Sequence, residues 1–111
     1  SGLSLYNYVT AELEVRLLRY AFKNNTIDLH LHPSLPQAGT DGTLRKRMTS
    51  PFTQGNVYAK TGTLSGISSL AGYCTAANGH RLAFAIINQG LLHGHNGRSF
   101  QDRVCTILCQ P

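Results

Sequence analysis

The residues of this chain best suited to chemistry are Lys60-Thr61-Gly62, at the end of a strand-like run and just before the turn Leu64-Ser65-Gly66. An ammonium and a hydroxyl side by side at a strand edge can bind a carboxylate. Glycine lets a second backbone approach without a Cβ in the way. The N–H of the next residue, Thr63, can donate to an oxygen on which negative charge develops during acyl transfer. Together these groups suit a site that holds a peptide by its terminal carboxylate while a serine attacks the preceding carbonyl. A second hydroxyl, on Ser65, lies within reach along the chain. As a bare tripeptide the pattern is weak, and a Lys pointing outward beside a turn is the simpler reading.

Other candidate groups carry less. His30-x-His32 and His93-x-His95 each place two imidazoles on one side of an extended segment, but no Cys or carboxylate stands at matching spacing to complete a metal site. They read as loop histidines. No Gly-x-Ser-x-Gly elbow supports a Ser-His-Asp triad. Cys74, Cys105 and Cys109 form no CxxC pair, so neither a structural zinc nor a redox centre of that type is indicated. Cys105 and Cys109 share one helix face. Either the three are buried thiols, or Cys74 is bridged to one of the other two.

The elements that must position these groups follow from periodicity. Thr10 is an N-cap, with Glu12 and Glu14 in the first turn. Leu13, Leu17, Tyr20 and Ala21, widened by Leu18 and Phe22, form a helical stripe that ends near Lys23 and Asn24-Asn25. From Thr26 to Asn56 the prolines and glycines predict a long connection with one short helix near Thr43 to Met48. Three strands follow, Val57–Thr63, Ser68–Ala76 and Arg81–Gln89, the last two joined at Asn78-Gly79. The apolar run Leu82–Ile87 predicts a third strand buried on both faces. A last helix opens at Ser99, with Asp102 at capping-box spacing and Phe100, Val104, Ile107 and Leu108 as its stripe. The fold class is α+β: a three-stranded antiparallel meander flanked by helices.

The chain has 111 residues and a formal charge of +5, from 10 Lys and Arg against 5 Asp and Glu. That length fits a single segment with one core. The densest basic run, Arg45-Lys46-Arg47, reads as a solvated helix face. With no ribonucleoprotein motif or zinc-finger spacing, nucleic acid is not an expected partner. No apolar run is long enough for a transmembrane helix. The opening Ser1-Gly2-Leu3-Ser4 reads as the middle of something longer, so a fragment is expected.

Five ordered motifs extend the tripeptide: Ser1-Gly2-Leu3-Ser4 with Asn7; Leu35-Pro36 with Gly39 and Asp41-Gly42-Thr43-Leu44; Ala59-Lys60-Thr61-Gly62-Thr63; Leu64-Ser65-Gly66; and Leu70-Ala71-Gly72-Tyr73. In this order the chain resembles the C-terminal part of the low-molecular-mass, class C penicillin-binding proteins, the D-alanyl-D-alanine carboxypeptidases and endopeptidases of the cell wall. The resemblance implies part of a DD-peptidase/β-lactamase-like catalytic domain with a five-stranded antiparallel sheet, a helical subdomain across the cleft and no cofactor. It also implies a periplasmic or otherwise extracytoplasmic location, peptidoglycan stem peptides as substrate and β-lactams as covalent inhibitors.

Carried over by residue, Lys60 and Thr63 would serve catalysis. Thr61, Gly62 and Ser65 would serve substrate binding. The family also needs Ser-x-x-Lys and Ser-x-Asn motifs, and no serine here has Lys three residues on or Asn two residues on. The chain alone is therefore expected to be inactive, a silent module that binds wall peptide or simply folds as a remnant. A β-lactamase or esterase relative is the alternative within the same fold. A sheet lacking its further strands would expose an edge open to self-association.

Overall fold

The computed structural model describes residues 9–90 and 93–110; the Ser1-Gly2-Leu3-Ser4 and Asn7 motif lies outside them. The order is α1 (Ala11–Lys23), α2 (Asn25–Ser34), a 3-10 turn (Gly42–Leu44), β1 (Tyr58–Leu64), β2 (Ile67–Thr75), β3 (Arg81–Asn88) and α3 (Gly94–Cys109). The strands form one antiparallel sheet in the order β1-β2-β3. Helices α1 and α2 lie on one side of the sheet and α3 packs on β2 from the other.

Helix α1 begins as its sequence dictates. The Thr10 side chain accepts from the Leu13 N–H at 3.1 Å, Glu12 and Glu14 occupy the first turn, and Lys23 the last. Asn24 then does two jobs. Its N–H donates to the Ala21 carbonyl, ending α1, while its side-chain oxygen accepts from the Thr26 and Ile27 N–H groups and starts a second helix. The expected loop after Asn25 is thus α2, and His30 and His32 are helical rather than extended. Pro33, in the last turn of α2, and Pro36 beyond it close that helix.

The remainder of the connection is ordered by burial. Leu35, Ala38, Leu44, Met48 and Val57 are all buried, so the segment anchors itself to the core instead of looping over the surface. The short helix expected over Thr43 to Met48 is only the 3-10 turn Gly42–Leu44. Arg47 is not solvated: its guanidinium donates to Asp102 Oδ1 at 2.7 and 3.0 Å and to Gln101 Oε1 at 3.0 Å. The fully buried Gln101 donates in turn to Ser68 Oγ and Asn88 Oδ1. One charge thereby ties the connection to α3 and, through Gln101, to β2 and β3. Asp102 serves this ion pair, not a capping box, because α3 begins at Gly94, five residues before the expected Ser99.

The apolar stripes also sit differently from expectation. In α1 it is Ala21 that is buried, whereas Leu13, Leu17 and Tyr20 are exposed. In α3 the buried face is Gly97, Gln101, Cys105 and Cys109, while Phe100 and Ile107 point outward. Strand β3 is less enclosed than expected: Phe84 is its one buried residue, the others are mostly half-buried, and no further strand pairs with its outer edge among the described residues. The three cysteines are buried free thiols in the core with Leu44, Val57 and Leu70.

Strands β1 and β2 are held in register from Tyr58↔Tyr73 to Leu64↔Ile67, across a two-residue turn at Ser65-Gly66 in which Gly66 takes φ +73°. Gly72 faces Ala59 in this ladder, and a Cβ on it would stand 2.5 Å from Ala59 Cα and overlap the Tyr58 carbonyl oxygen. Both obstacles are backbone, so neither can rotate away. Gly72→Ala is expected to destabilise the fold by about 3 kcal/mol through overpacking. Urea denaturation checks this, and an unchanged midpoint would show that the strands can separate without loss.

Burial pushes the Cys74 thiol, whose ordinary value is 9.0, up to about 12, with Cys109 and Cys105 adding to the effect. Cys105 is likewise pushed up to about 12, by burial first and then by Cys109 and Asp102. Between pH 9 and 12 the unfolded chain has released protons that the folded chain still holds. Folding stability under reducing conditions must then fall as pH rises through that window, by up to about 1.4 kcal/mol per pH unit for each thiol. The urea midpoint in reductant is expected to drop from pH 8 to pH 10, and to drop less in Cys105→Ala. Equal drops in both proteins would count against it.

Candidate active-site strand

Strand β1 carries the Lys-Thr-Gly tripeptide, and its hydrogen-bond polarity decides which groups face outward. The Ala59 N–H donates to the Pro36 carbonyl at 3.0 Å and the Val57 carbonyl accepts from the Ala38 N–H at 2.8 Å. Both bonds lie on the side away from β2. Backbone direction repeats every second residue, so the N–H groups of Thr61 and Thr63 point the same way. Past Ala59 no further strand pairs with this edge among the described residues. Two N–H donors therefore line an open edge.

The side chains divide between the sheet's two faces. Lys60 stands opposite Ala71 on the side of α1 and α2. There it borders a mainly apolar cavity of about 480 Å³ with Glu14, Leu17, Leu18, Leu31 and Leu35. Its Nζ donates to the Thr61 carbonyl at 2.7 Å, so the ammonium lies over the strand instead of extending into solvent. Burial raises the Glu14 carboxyl above its ordinary range, which favours its neutral form beside that cavity.

Thr61 turns the other way and its hydroxyl donates to Thr43 Oγ1 at 3.3 Å. Thr43 is placed by its own motif. The Asp41 carboxylate accepts from the Gln37 N–H at 2.7 Å, Gly42 takes φ +57°, and fully buried Leu44 anchors the turn. Two motifs separated by 18 positions thus meet at a pair of hydroxyls.

Gly62 pairs with Ser69, whose hydroxyl donates to the Gly62 carbonyl at 3.3 Å. A Cβ at Gly62 would come within 2.6 Å of that same hydroxyl oxygen, so the glycine keeps room for Ser69. Thr63 and Ser65 are both exposed, Ser65 in the hairpin turn. The structure therefore brings Lys60, Thr61, Gly62 and Thr63 together on one strand and sets Ser65 just beyond its end. Thr43 and Ser69 were not among the residues singled out from sequence as site residues. Thr43 belongs to the Asp41-Gly42-Thr43-Leu44 motif, but its contact with Thr61 depends on the folded turn, and Ser69 becomes a neighbour only through strand register.

The histidines belong elsewhere. His32 packs its ring against Tyr58 and Tyr73 at 4.7 and 5.4 Å, with Nδ1 3.6 Å from Asp28 Oδ1. His93 and His95 stack at the start of α3. Among the described residues no three His, Cys, Asp or Glu side chains converge as a metal site would need.

Comparison with known proteins agrees with this architecture. The model of the D-Ala-D-Ala carboxypeptidase 3 (S13) family matches residues 1–110. The D-alanyl-D-alanine carboxypeptidase DacB of Haemophilus influenzae is 42% identical over 96 residues, covering 85% of this chain and 20% of its own length. A D-alanyl-D-alanine carboxypeptidase of Actinomadura sp. strain R39 is 43% identical over 118 residues, covering 99% of this chain and 21% of its own. The chain thus spans about a fifth of the length of the curated relatives it matches. In structure it is similar to penicillin binding protein 4 (dacB) of H. influenzae in complex with a β-lactam, at a TM-score of 0.88 and 35% identity over 100% of this chain and 28% of that one. The sheet and its helices are an α+β portion of that fold, and the chain belongs to the D-Ala-D-Ala carboxypeptidase 3 (S13) family.

Proposed function

We propose that this chain is the substrate-binding wall of a serine-type D-alanyl-D-alanine carboxypeptidase/endopeptidase that works on peptidoglycan stem peptides outside the cytoplasmic membrane. The observation that carries the reading is the outer edge of β1, where Lys60, the Thr61 hydroxyl and the Thr63 N–H follow one another along a side that no further strand pairs with among the described residues. A peptide laid along such an edge pairs with the strand backbone while pockets or charges read its ends. Lys60 and Thr61 receive the terminal carboxylate of the substrate. Gly62 keeps the strand surface low, and Ser65 adds a hydroxyl at the rim. The Thr63 N–H donates to the oxyanion formed when a serine attacks the penultimate D-alanine carbonyl.

That serine is not supplied by this chain, which has neither a Ser-x-x-Lys nor a Ser-x-Asn sequence. The chain by itself is accordingly inactive, and the acyl-enzyme forms in the longer protein to which it contributes. A β-lactam acylates the same serine because its ring carbonyl and carboxylate present the spacing of an acyl-D-alanyl-D-alanine end.

Fluorescent penicillin tests each part. Covalent labelling is expected for the longer protein and not for the 111-residue chain; labelled chain would overturn the claim about its nucleophile, and unlabelled longer protein the peptidase reading. In the longer protein Lys60→Ala is expected to slow acylation about 100-fold and Thr61→Val about 10-fold, through loss of charge-assisted and neutral hydrogen bonds to the carboxylate. Unchanged rates in both variants would remove β1 from the site.

A further inference from the structure

Three cations gather where the chain offers no carboxylate to meet them. Arg19 and Lys23 stand one turn apart on α1 with Phe22 beside them, and Arg81 begins β3, which packs on that helix. Between them lies a cavity of about 180 Å³ floored by Phe22, Tyr73 and Ala83, and it takes no residue from β1. Its walls are fixed. The Tyr73 hydroxyl donates to the Leu18 carbonyl at 2.5 Å, which holds α1 against the sheet. The Phe22 ring lies 5.9 Å from the Tyr73 ring, and the Arg81 guanidinium sits 5.5 Å from the centre of Phe22. Stacked by its face, that guanidinium keeps its N–H edge for a further partner.

The chain has five acidic residues, and each is engaged elsewhere. Glu12 pairs with Arg16, Asp28 faces His32 and Asp102 holds Arg47. Asp41 accepts from the Gln37 N–H, and Glu14 borders the cavity beside Lys60. Arg19, Lys23 and Arg81, all exposed, are left without a carboxylate partner among the described residues. Cations four apart on a helix repel one another. The negative end of the α1 dipole accounts for Lys23 in the last turn. It does not account for a third cation brought to the same place from another element. An anion seated among the three would offset their repulsion.

The floor adds a second requirement, because it is hydrocarbon and aromatic. A cavity of about 150 Å³ suffices for a benzene molecule, so this one has room for a single six-membered ring. Such a ring meets Phe22 and Tyr73 in offset or edge-to-face contact. A guanidinium edge holds a carboxylate through two parallel N–H···O bonds. We propose that the cavity between α1 and β3 binds a small aromatic carboxylate, its ring on Phe22 and Tyr73 and its carboxylate among Arg81, Arg19 and Lys23.

Benzoate is the probe, titrated into the 111-residue chain by isothermal calorimetry at low salt. Benzyl alcohol supplies the ring without the charge, and acetate the charge without the ring. Benzoate is expected to saturate with a Kd of about 1 mM or below. It is expected to bind at least about 10-fold more tightly than either comparison compound, and to weaken as salt is raised. Arg81→Gln is expected to reduce benzoate to the affinity of benzyl alcohol, whereas Arg103→Gln, exposed on α3, leaves it unchanged. Since Arg81 also packs on Phe22, the double variant Arg19→Gln/Lys23→Gln keeps that packing and removes charge alone. It is expected to bind benzoate about 5-fold more weakly with an unchanged urea midpoint. Benzyl alcohol binding as tightly as benzoate would reduce the cavity to an apolar hollow, and acetate doing so would reduce it to unspecific charge. Either result, no saturation by 10-fold excess over that expected Kd, or undiminished binding in the double variant would overturn the proposal.

Discussion

The contact between Gly72 and Ala59 is the constraint on which the candidate site depends. At that point the backbones of β1 and β2 come so close that no side chain fits between them. Alternation along a strand has a period of two, so a slip of one residue would turn every side chain of β1 to the wrong face. Lys60 would leave the helical side, Thr61 would leave Thr43, and the outward N–H groups would be those of Lys60 and Gly62. Only one register places a glycine opposite Ala59. A residue with a Cβ would have to find room there in either neighbouring alignment, since Gly72 is flanked by Ala71 and Tyr73. The tight contact thereby selects the arrangement in which the tripeptide has chemical meaning.

A second constraint fixes what lies beside the strand. Thr43 reaches Thr61 only because the connection carrying it is held down at both ends. Leu44 and Met48 are buried in the core shared with α3, and Arg47 between them is bound to Asp102 and Gln101 of that helix. The Arg47 side chain is only 13% exposed, so its charge is compensated by Asp102, the Gln101 amide and the Arg98 carbonyl together. Truncation of either charge would strand the other, which is why such a pair is costlier to break than its net attraction suggests. The helix behind the sheet thus helps to place a hydroxyl at the sheet's edge.

Much of this was legible in the sequence, in proportion to how local its cause is. The three strands, their antiparallel order and the Thr10 cap follow from alternation, turn residues and one hydroxyl, all within a few positions of their effect. Helix α2 was hidden because Asn24 ends one helix and starts the next, and Pro33 reads as a breaker although it stands in the last turn. The burial stripes of α1 and α3 were misread for a different reason. Apolar residues outnumber the positions that the sheet can cover, so periodicity shows two adjoining faces and contact decides between them. Arg47 looked solvated because its partners lie more than 50 positions away. Ser69 was invisible as a site neighbour until register placed it opposite Gly62.

The electrostatics of the exposed edge bear directly on what it can do alone. Hydrogen-bond donors aimed at a carboxylate or an oxyanion are worth most in a dry, low-dielectric site, where the same charges interact several times more strongly than in water. Here the donors are oriented in advance, since β1 is fixed by β2, by Pro36 and Ala38, and by the Thr43 hydroxyl. Their surroundings, however, are open: Lys60, Thr43 and Thr63 are exposed. Next to them lies an apolar cavity, and the α1 residues Leu13, Leu17 and Tyr20 present uncovered hydrocarbon. A surface with oriented donors at its edge and apolar area around them gains twice when covered. Burial of the hydrocarbon stabilises the covered state, and exclusion of water strengthens each donor. Orientation is thus a property of this chain, and full electrostatic strength belongs to the covered state.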